Sequence, residues 1–108
     1  MGRASETALV KFGTPARPVE STPIIPITPA KLVNNLADRV ELIVVNAGTD
    51  LVTIGLSHTL VAGVGIRLAP GGTVDILADE DGDVVGYEWW AVASTASQQL
   101  YVLEVIAE

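Results

Sequence analysis

Five of the six prolines in this 108-residue chain fall within fifteen residues, and they constrain the fold more than any other feature. They are Pro15, Pro18, Pro23, Pro26 and Pro29. Each proline fixes φ and removes a backbone donor, which excludes both helix and central strand. The apolar side chains of Ile24, Ile25 and Ile27 lie between them, which indicates an extended segment against an apolar surface. We therefore interpret residues 1–37 as an extended N-terminal arm and residues 38–108 as the folded body.

The body has the pattern of short β-strands separated by turn residues. Runs rich in β-branched residues predict strands at 40–46, 51–55, 66–68, 73–77, 87–93 and 100–106. The second strand is expected to return on the first across the turn at 46–50, and Pro70 followed by Gly71 predicts a type II turn. Only residues 30–36 have helical spacing, and they are too few for more than one turn. The sequence predicts an all-β fold, a small antiparallel β-sandwich or jelly-roll-like barrel.

Composition limits the classes of function. Hydrophobic residues make up 49% of the chain, enough for a core, yet no apolar run is long enough to span a bilayer and no signal peptide is recognisable. We therefore expect no membrane partner. The chain has no cysteine, which excludes a disulfide, a thiol nucleophile and a thiolate metal site within this sequence.

The net charge of −7 is unevenly distributed. Residues 1–39 carry five basic and three acidic side chains, a balance of +2, whereas residues 40–108 carry one basic and ten acidic side chains, a balance of −9. An acidic body repels phosphate, so we expect no nucleic-acid partner. The weakly basic N-terminal segment is instead suited to an acidic protein surface.

The groups that resemble chemical sites have simpler structural explanations. His58 is the only histidine, and its neighbours Ser57 and Thr59 are not set in a Gly-x-Ser-x-Gly motif, so a surface histidine is favoured over a catalytic one. The acidic run 79–83 lacks the spacing of an EF-hand, and a solvated turn is favoured over a calcium site. We therefore predict no catalytic residue, no cofactor and no metal site, and we do not expect an enzyme.

Trp89 and Trp90 are adjacent in a predicted strand. Neighbouring side chains of a strand point to opposite faces, so one indole can enter the core only if the other faces outward. An outward tryptophan serves either a subunit interface or a sugar-stacking platform, and we favour the interface.

The framework at 39–42, Asn46, 52–55, 65–72, 89–94 and 100–105 resembles small β-sandwich virion proteins of tailed bacteriophages, over about residues 38–106. The resemblance implies a capsid decoration (cement) protein or a small head or tail appendage. It also implies a homotrimer with an extended terminal arm, located on the capsid surface of a virion and made in the cytoplasm of a bacterial host.

We therefore expect a non-enzymatic structural virion protein that stabilises a tailed-phage capsid, with the major capsid protein and its own copies as partners. A carbohydrate-binding or receptor-binding module of a phage tail or head fibre is the alternative. Residues 8–12 are predicted to form a short strand able to add to a sheet edge. The expected partner-binding residues are Arg3, Lys11, Phe12, Arg17, Ile24, Ile25, Ile27, Trp89 and Trp90.

Overall fold

Two antiparallel β-sheets pack against each other in the computed structural model, which describes residues 16–78 and 82–107. The described strands are β1 (Ala16–Ser21), β2 (Ile24–Ile25), β3 (Ala30–Val33), β4 (Arg39–Asn46), β5 (Val52–Gly55), β6 (Ile66–Leu68), β7 (Thr73–Leu77), β8 (Trp89–Ala93) and β9 (Gln98–Ala107). One 3₁₀ turn, Gly82–Gly86, lies between β7 and β8. The predicted all-β fold is confirmed. Within the described ranges, no helix is long and apolar enough to cross a membrane.

The strand order is that of a jelly roll. The first sheet runs β1–β9–β4–β7, and β2 continues the edge position of β1 by pairing with the other end of β9. The second sheet runs β3–β8–β5–β6. Each sheet therefore has four strand positions, as in the two Greek keys of a jelly roll. One edge of the sandwich carries β1, β2 and β3, and we call it the proline edge; the opposite edge carries β6 and β7.

The proline edge differs from the arm that the sequence predicted. Residues 16–33 are extended, as expected, but they pair with β9 and β8 as strands of the two sheets. The strands within residues 16–33 therefore belong to the two sheets and not to an arm outside them. Residues 1–15 of the predicted arm, with the predicted strand at 8–12, lie outside the described residues.

The prolines fit because these three strands are outermost in their sheets. Half of the peptide groups of an edge strand point away from the ladder, so Pro18 within β1 need not cost a hydrogen bond. Two prolines between the strands accept backbone hydrogen bonds through their carbonyl groups. Leu100 N–H donates to Pro23 O (3.0 Å), and Ala93 N–H donates to Pro26 O (2.9 Å). The prolines thus allow residues 16–33 to close one edge of both sheets.

The connection from β4 to β5 also differs from the prediction. The two strands do not form a hairpin, because β4 belongs to the first sheet and β5 to the second. The buried side chain of Asn46 explains the crossing: its Nδ2 donates to Asp50 O (2.8 Å) and Leu68 O (2.7 Å), and its Oδ1 accepts from Gly48 N–H (2.9 Å). These bonds direct the chain across the end of the core instead of reversing it beside β4.

Two further local predictions concern a turn and a weak helical spacing. The type II turn is confirmed, since Gly72 N–H donates to Ala69 O (2.7 Å) and Gly71 has φ of 80°. Residues 30–36, whose spacing allowed one helical turn or none, begin with a strand, because Ala30–Val33 forms β3. Pairing of β3 with β8 outweighs a weak helical spacing in so short a segment.

The core lies between the sheets and follows the alternation of the strands. Inward-facing side chains of the first sheet include Leu42, Val44 and Val102, and those of the second include Ile54 and Trp89. All five are buried, most of them completely. Burying such side chains contributes about 1.5 to 3 kcal/mol each, so this layer is the main source of stability.

Arg39 closes one end of the core. Its Nε donates to Glu104 Oε1 (2.8 Å), and its Nη2 lies 2.7 Å from the same oxygen. Its Nη1 donates to Val85 O (3.0 Å) and Tyr87 O (3.1 Å), and its Nη2 donates to Asn34 O (2.6 Å). The buried guanidinium therefore joins the loop after β3, the 3₁₀ turn and β9.

We expect Arg39→Met to lower the free energy of unfolding by about 3 to 5 kcal/mol, because it leaves the Glu104 carboxylate without its buried partner. Urea denaturation followed by tryptophan fluorescence measures this loss. Arg67→Met, at an exposed position of β6, is the matched control and should change stability by less than about 0.5 kcal/mol. An equal loss in both variants would contradict the central role of Arg39.

Asp50, in the crossing between the sheets, predicts a specific pH dependence. The hydrogen bond from the Thr95 hydroxyl, and then that from Leu51 N–H, hold the pKa of Asp50 below its ordinary value of 3.8. A lowered folded-state pKa adds stability above pH 3.8, and that stability is lost as the pH falls through the folded-state value. We expect Asp50→Asn to be less stable than the parent at pH 7, with a gap that shrinks in acid. A stability difference between parent and variant that did not change on acidification would contradict this. In a Thr95→Val background, Asp50→Asn should cost less stability at pH 7.

Candidate subunit-contact surfaces

Four large apolar side chains are exposed on and beside the loop from β5 to β6. The exposed fractions are 45% for Leu56, 61% for Val61, 68% for Val64 and 37% for Ile66. We call these four residues the loop patch. Single exposed apolar residues are common on soluble proteins, but four of them within eleven residues make this loop a candidate contact surface.

The loop patch is held outward by the way the loop folds. Gly63 N–H donates to the Thr53 hydroxyl (2.9 Å), so the loop lies back over the outer face of β5 and buries Thr53. Val64 N–H donates to Val61 O (3.0 Å), and these two valines form an isolated antiparallel bridge. The loop is thus anchored at its base, and its two valines stand on the side away from the core.

The two tryptophans occupy the two faces of the second sheet, as the sequence predicted. Trp89 is buried in the core, where its Nε1 donates to Val84 O (3.2 Å). Trp90 is half-buried on the outer face. The outward indole is therefore Trp90, and Trp89 is core and not a contact residue.

Side chains of the same molecule surround the Trp90 ring. Lys31 Nζ lies 5.7 Å from the ring centroid, within range of a cation–π interaction, and forms an ion pair of 3.1 Å with Glu88. The ring of His58 lies 6.0 Å from that of Trp90, at an interplanar angle of 59°. A ligand that stacks on Trp90 would therefore have to compete with Lys31 or lie beside His58.

The other predicted contact residues divide into three groups. Ile24 and Ile27 are exposed, by 58% and 60%, on the proline edge. Ile25 is only 1% exposed and belongs to the core, which corrects its expected role in partner binding. Arg17 is an exposed residue of β1, opposite Ile106 of β9. The remaining three lie outside the described residues: Arg3, Lys11 and Phe12.

Few groups in the described ranges are arranged for chemistry. The hydroxyl groups of Ser57 and Thr59 are hydrogen-bonded to each other (2.7 Å), while His58 between them faces Trp90. A cavity of about 540 Å³ reaches Arg39, Asp83 and Tyr87, but the guanidinium of Arg39 is already engaged by Glu104 and three carbonyl groups. Among the described residues, no three His, Cys, Asp or Glu side chains lie close enough to hold a metal ion. Most of the acidic run at 79–83 lies outside them.

Sequence reasoning missed the loop patch. Leu56, Val61 and Val64 lie between predicted strands, among Gly, Ser, His and Thr residues that indicate a turn. Apolar residues that follow neither a strand period nor a helical period were the available signal, because such residues have no core-facing position to occupy.

The chain is a small jelly-roll protein with exposed apolar residues on its loop patch and on its proline edge. No protein-family model and no curated protein matches the chain. Among solved structures, it is similar to a chain from Bacillus endospore appendages, described as a novel family of disulfide-linked pili. The two share 16% sequence identity with a TM-score of 0.52, and the match covers 85% of this chain and 86% of that one. At this identity the similarity shows the fold alone.

We expect the double substitution Val61→Asn and Val64→Asn to change the free energy of unfolding by less than about 0.5 kcal/mol per site, because neither side chain contributes to the core. Thermal denaturation measures this. Val102→Asn is the buried control and should cost about 1 to 3 kcal/mol, since an amide would be buried without a partner. Comparable losses at the loop and at Val102 would show that the loop patch is part of the core.

Proposed function

We propose that this chain is a non-enzymatic structural subunit that decorates a tailed-phage capsid and stabilises it. The observation that carries the proposal is the placement of exposed apolar residues on a jelly-roll body: the loop patch near β6, and Ile24 and Ile27 on the opposite, proline edge. A body with contact surfaces at two edges can touch two neighbours at once. That is what a subunit in a surface lattice requires.

The mechanism would be mass action. A protein that binds only the assembled shell stabilises it by RT ln(1 + [L]/Kd), which is about 2.7 kcal/mol per site at 100 times the dissociation constant. No reaction is needed for this function. The arrangement of Ser57, His58 and Thr59 supports the non-enzymatic interpretation, because the two hydroxyls bond to each other and not to the imidazole.

The similarity to an endospore appendage chain is compatible with a structural role, but it differs in one chemical respect. Those appendages are described as disulfide-linked pili, whereas this 108-residue sequence contains no cysteine. Assembly of this chain would therefore depend on apolar contacts and strand pairing, and it would respond to dilution where a covalent assembly would not. We include in this proposal the homotrimer that the sequence resemblance implies.

We expect the purified chain to bind, saturably, to phage heads that lack accessory surface proteins and to raise the temperature at which they open. The Val61→Asn, Val64→Asn double variant should bind at least about tenfold more weakly, because it removes apolar area from the contact. Ser94→Asn, an exposed polar change elsewhere, should bind normally. Sedimentation of heads with labelled protein measures binding, and electron microscopy locates it.

Two outcomes would contradict the proposal. A chain that is folded but never bound to heads would exclude decoration of that shell. Saturable binding to a glycan array that is abolished by Trp90→Ala, without head binding, would instead support the carbohydrate-binding alternative.

A further inference from the structure

The strand β7 is the outermost described strand of the first sheet, and its two faces have different chemistry. Val74 and Ile76 face the core, whereas Thr73 and Asp75 are exposed on the outer face. The hydrogen bond from Asn46 N–H to Gly72 O (2.9 Å) sets the alternation of the β4–β7 ladder. Because paired and unpaired residues alternate in an antiparallel ladder, the peptide groups of Thr73 and Asp75 point away from β4.

The other edges are less suited to accept a strand. The proline edge carries Pro18 within β1 and Lys31 within β3, and prolines and lysines are what natural sheets use to block edge pairing. The strand β6 has three residues, and its exposed Arg67 repels a basic partner. Of the edges that the structure describes, β7 offers the longest run without proline and with an acidic outer side chain.

One segment of this chain matches β7 in length, pattern and charge. Residues 8–12, Ala-Leu-Val-Lys-Phe, contain neither proline nor glycine, and both the segment and β7 have five residues. In an extended segment Lys11 lies on one face, with Val10 and Phe12 on the other. Placing Lys11 on the face of Asp75 therefore puts the aromatic and β-branched side chains on the core-facing side.

The segment cannot reach this position within its own molecule. Ala16 starts β1, which lies three strand positions from β7, so a strand added beyond β7 would be four spacings away, about 19 Å. The four residues from Phe12 to Ala16 extend at most about 14 Å. The strand must therefore come from a second copy of the chain.

We propose that residues 8–12 of one copy add as a strand to the β7 edge of a second copy, with Lys11 beside Asp75. The inference rests on the proposed function as an assembling subunit and names its subunit contact. Donor and acceptor are different surfaces, so each copy can donate to one neighbour and accept from another. Such a contact closes into a ring, of three if the expected trimer holds, or continues as a filament.

Cysteine cross-linking tests the pairing, because the sequence contains no cysteine that would compete. Full-length chain with Lys11→Cys is mixed with size-tagged full-length chain carrying Asp75→Cys, under mild oxidation. Neighbouring residues on paired strands lie within the Cα distances that a disulfide tolerates. We expect the mixed disulfide to form about tenfold faster than with Asp38→Cys, an exposed control in the loop before β4, because pairing raises the local thiol concentration.

Charge reversal tests the register without a covalent bond. Lys11→Glu and Asp75→Lys should each weaken self-association by about tenfold, and the double reversal should restore it, because like charges beside each other oppose strand pairing. Asp38→Lys, the control at an exposed loop position, should leave self-association unchanged. Sedimentation velocity across a concentration series measures the effect, and circular dichroism confirms that each variant is folded.

Each outcome decides between specific alternatives. Equal cross-linking at positions 75 and 38, or an intramolecular disulfide in a chain carrying both Lys11→Cys and Asp75→Cys, would overturn the inference. So would single reversals that do not weaken self-association. If head binding persists while the strand exchange fails, the proposed decoration function stands and only the subunit contact is wrong. If strand exchange is found without head binding, the chain assembles with itself and the capsid proposal fails.

Discussion

The ion pair between Arg39 and Glu104 is the contact on which the end of the sandwich depends. The two residues are 65 positions apart in sequence, and the carbonyls that share the guanidinium belong to two further segments. Burying a guanidinium is costly unless its donors have partners, and here the partners come from the loop after β3, the 3₁₀ turn and β9. The position of these segments is therefore coupled, since none can move without leaving a buried charge or carbonyl unsatisfied.

The strand content of the body was predictable because β-branched runs and turn residues act locally. The strand from Val40 to Asn46, the Pro70–Gly71 turn and the placement of Trp89 and Trp90 on opposite faces all follow from rules that need only neighbouring residues. Pairing between strands was not predictable in the same way. The crossing after β4 depends on the amide of Asn46 reaching Leu68, which lies 22 residues away, and no local pattern indicates such a bond.

The exposed apolar residues can likewise be divided into those that local sequence predicts and those that depend on tertiary contacts. The position of Ile24 and Ile27 between prolines predicted their exposed role. Ile25 has the same sequence context, yet the pairing of β2 with β9 turns its side chain into the core. The loop patch was missed because its exposure depends on the Gly63 to Thr53 hydrogen bond, which folds the loop onto the outside of a sheet. Surfaces created by tertiary contacts therefore need the structure, whereas alternation within a strand can be predicted beforehand.

The place of β9 in the first sheet has a consequence for how the protein is made. It is the last of the described strands, yet it lies inside its sheet, between β1 and β2 on one side and β4 on the other. During synthesis, the edges of β1 and β4 that pair with β9 stay unpaired until β9 has left the ribosome. Contacts of such long sequence separation also form slowly. The nascent chain thus passes through an interval in which its inner strand edges are open to other chains. Pro18 within β1 and the prolines between the first strands reduce that hazard, because each proline removes a backbone donor that premature pairing would use.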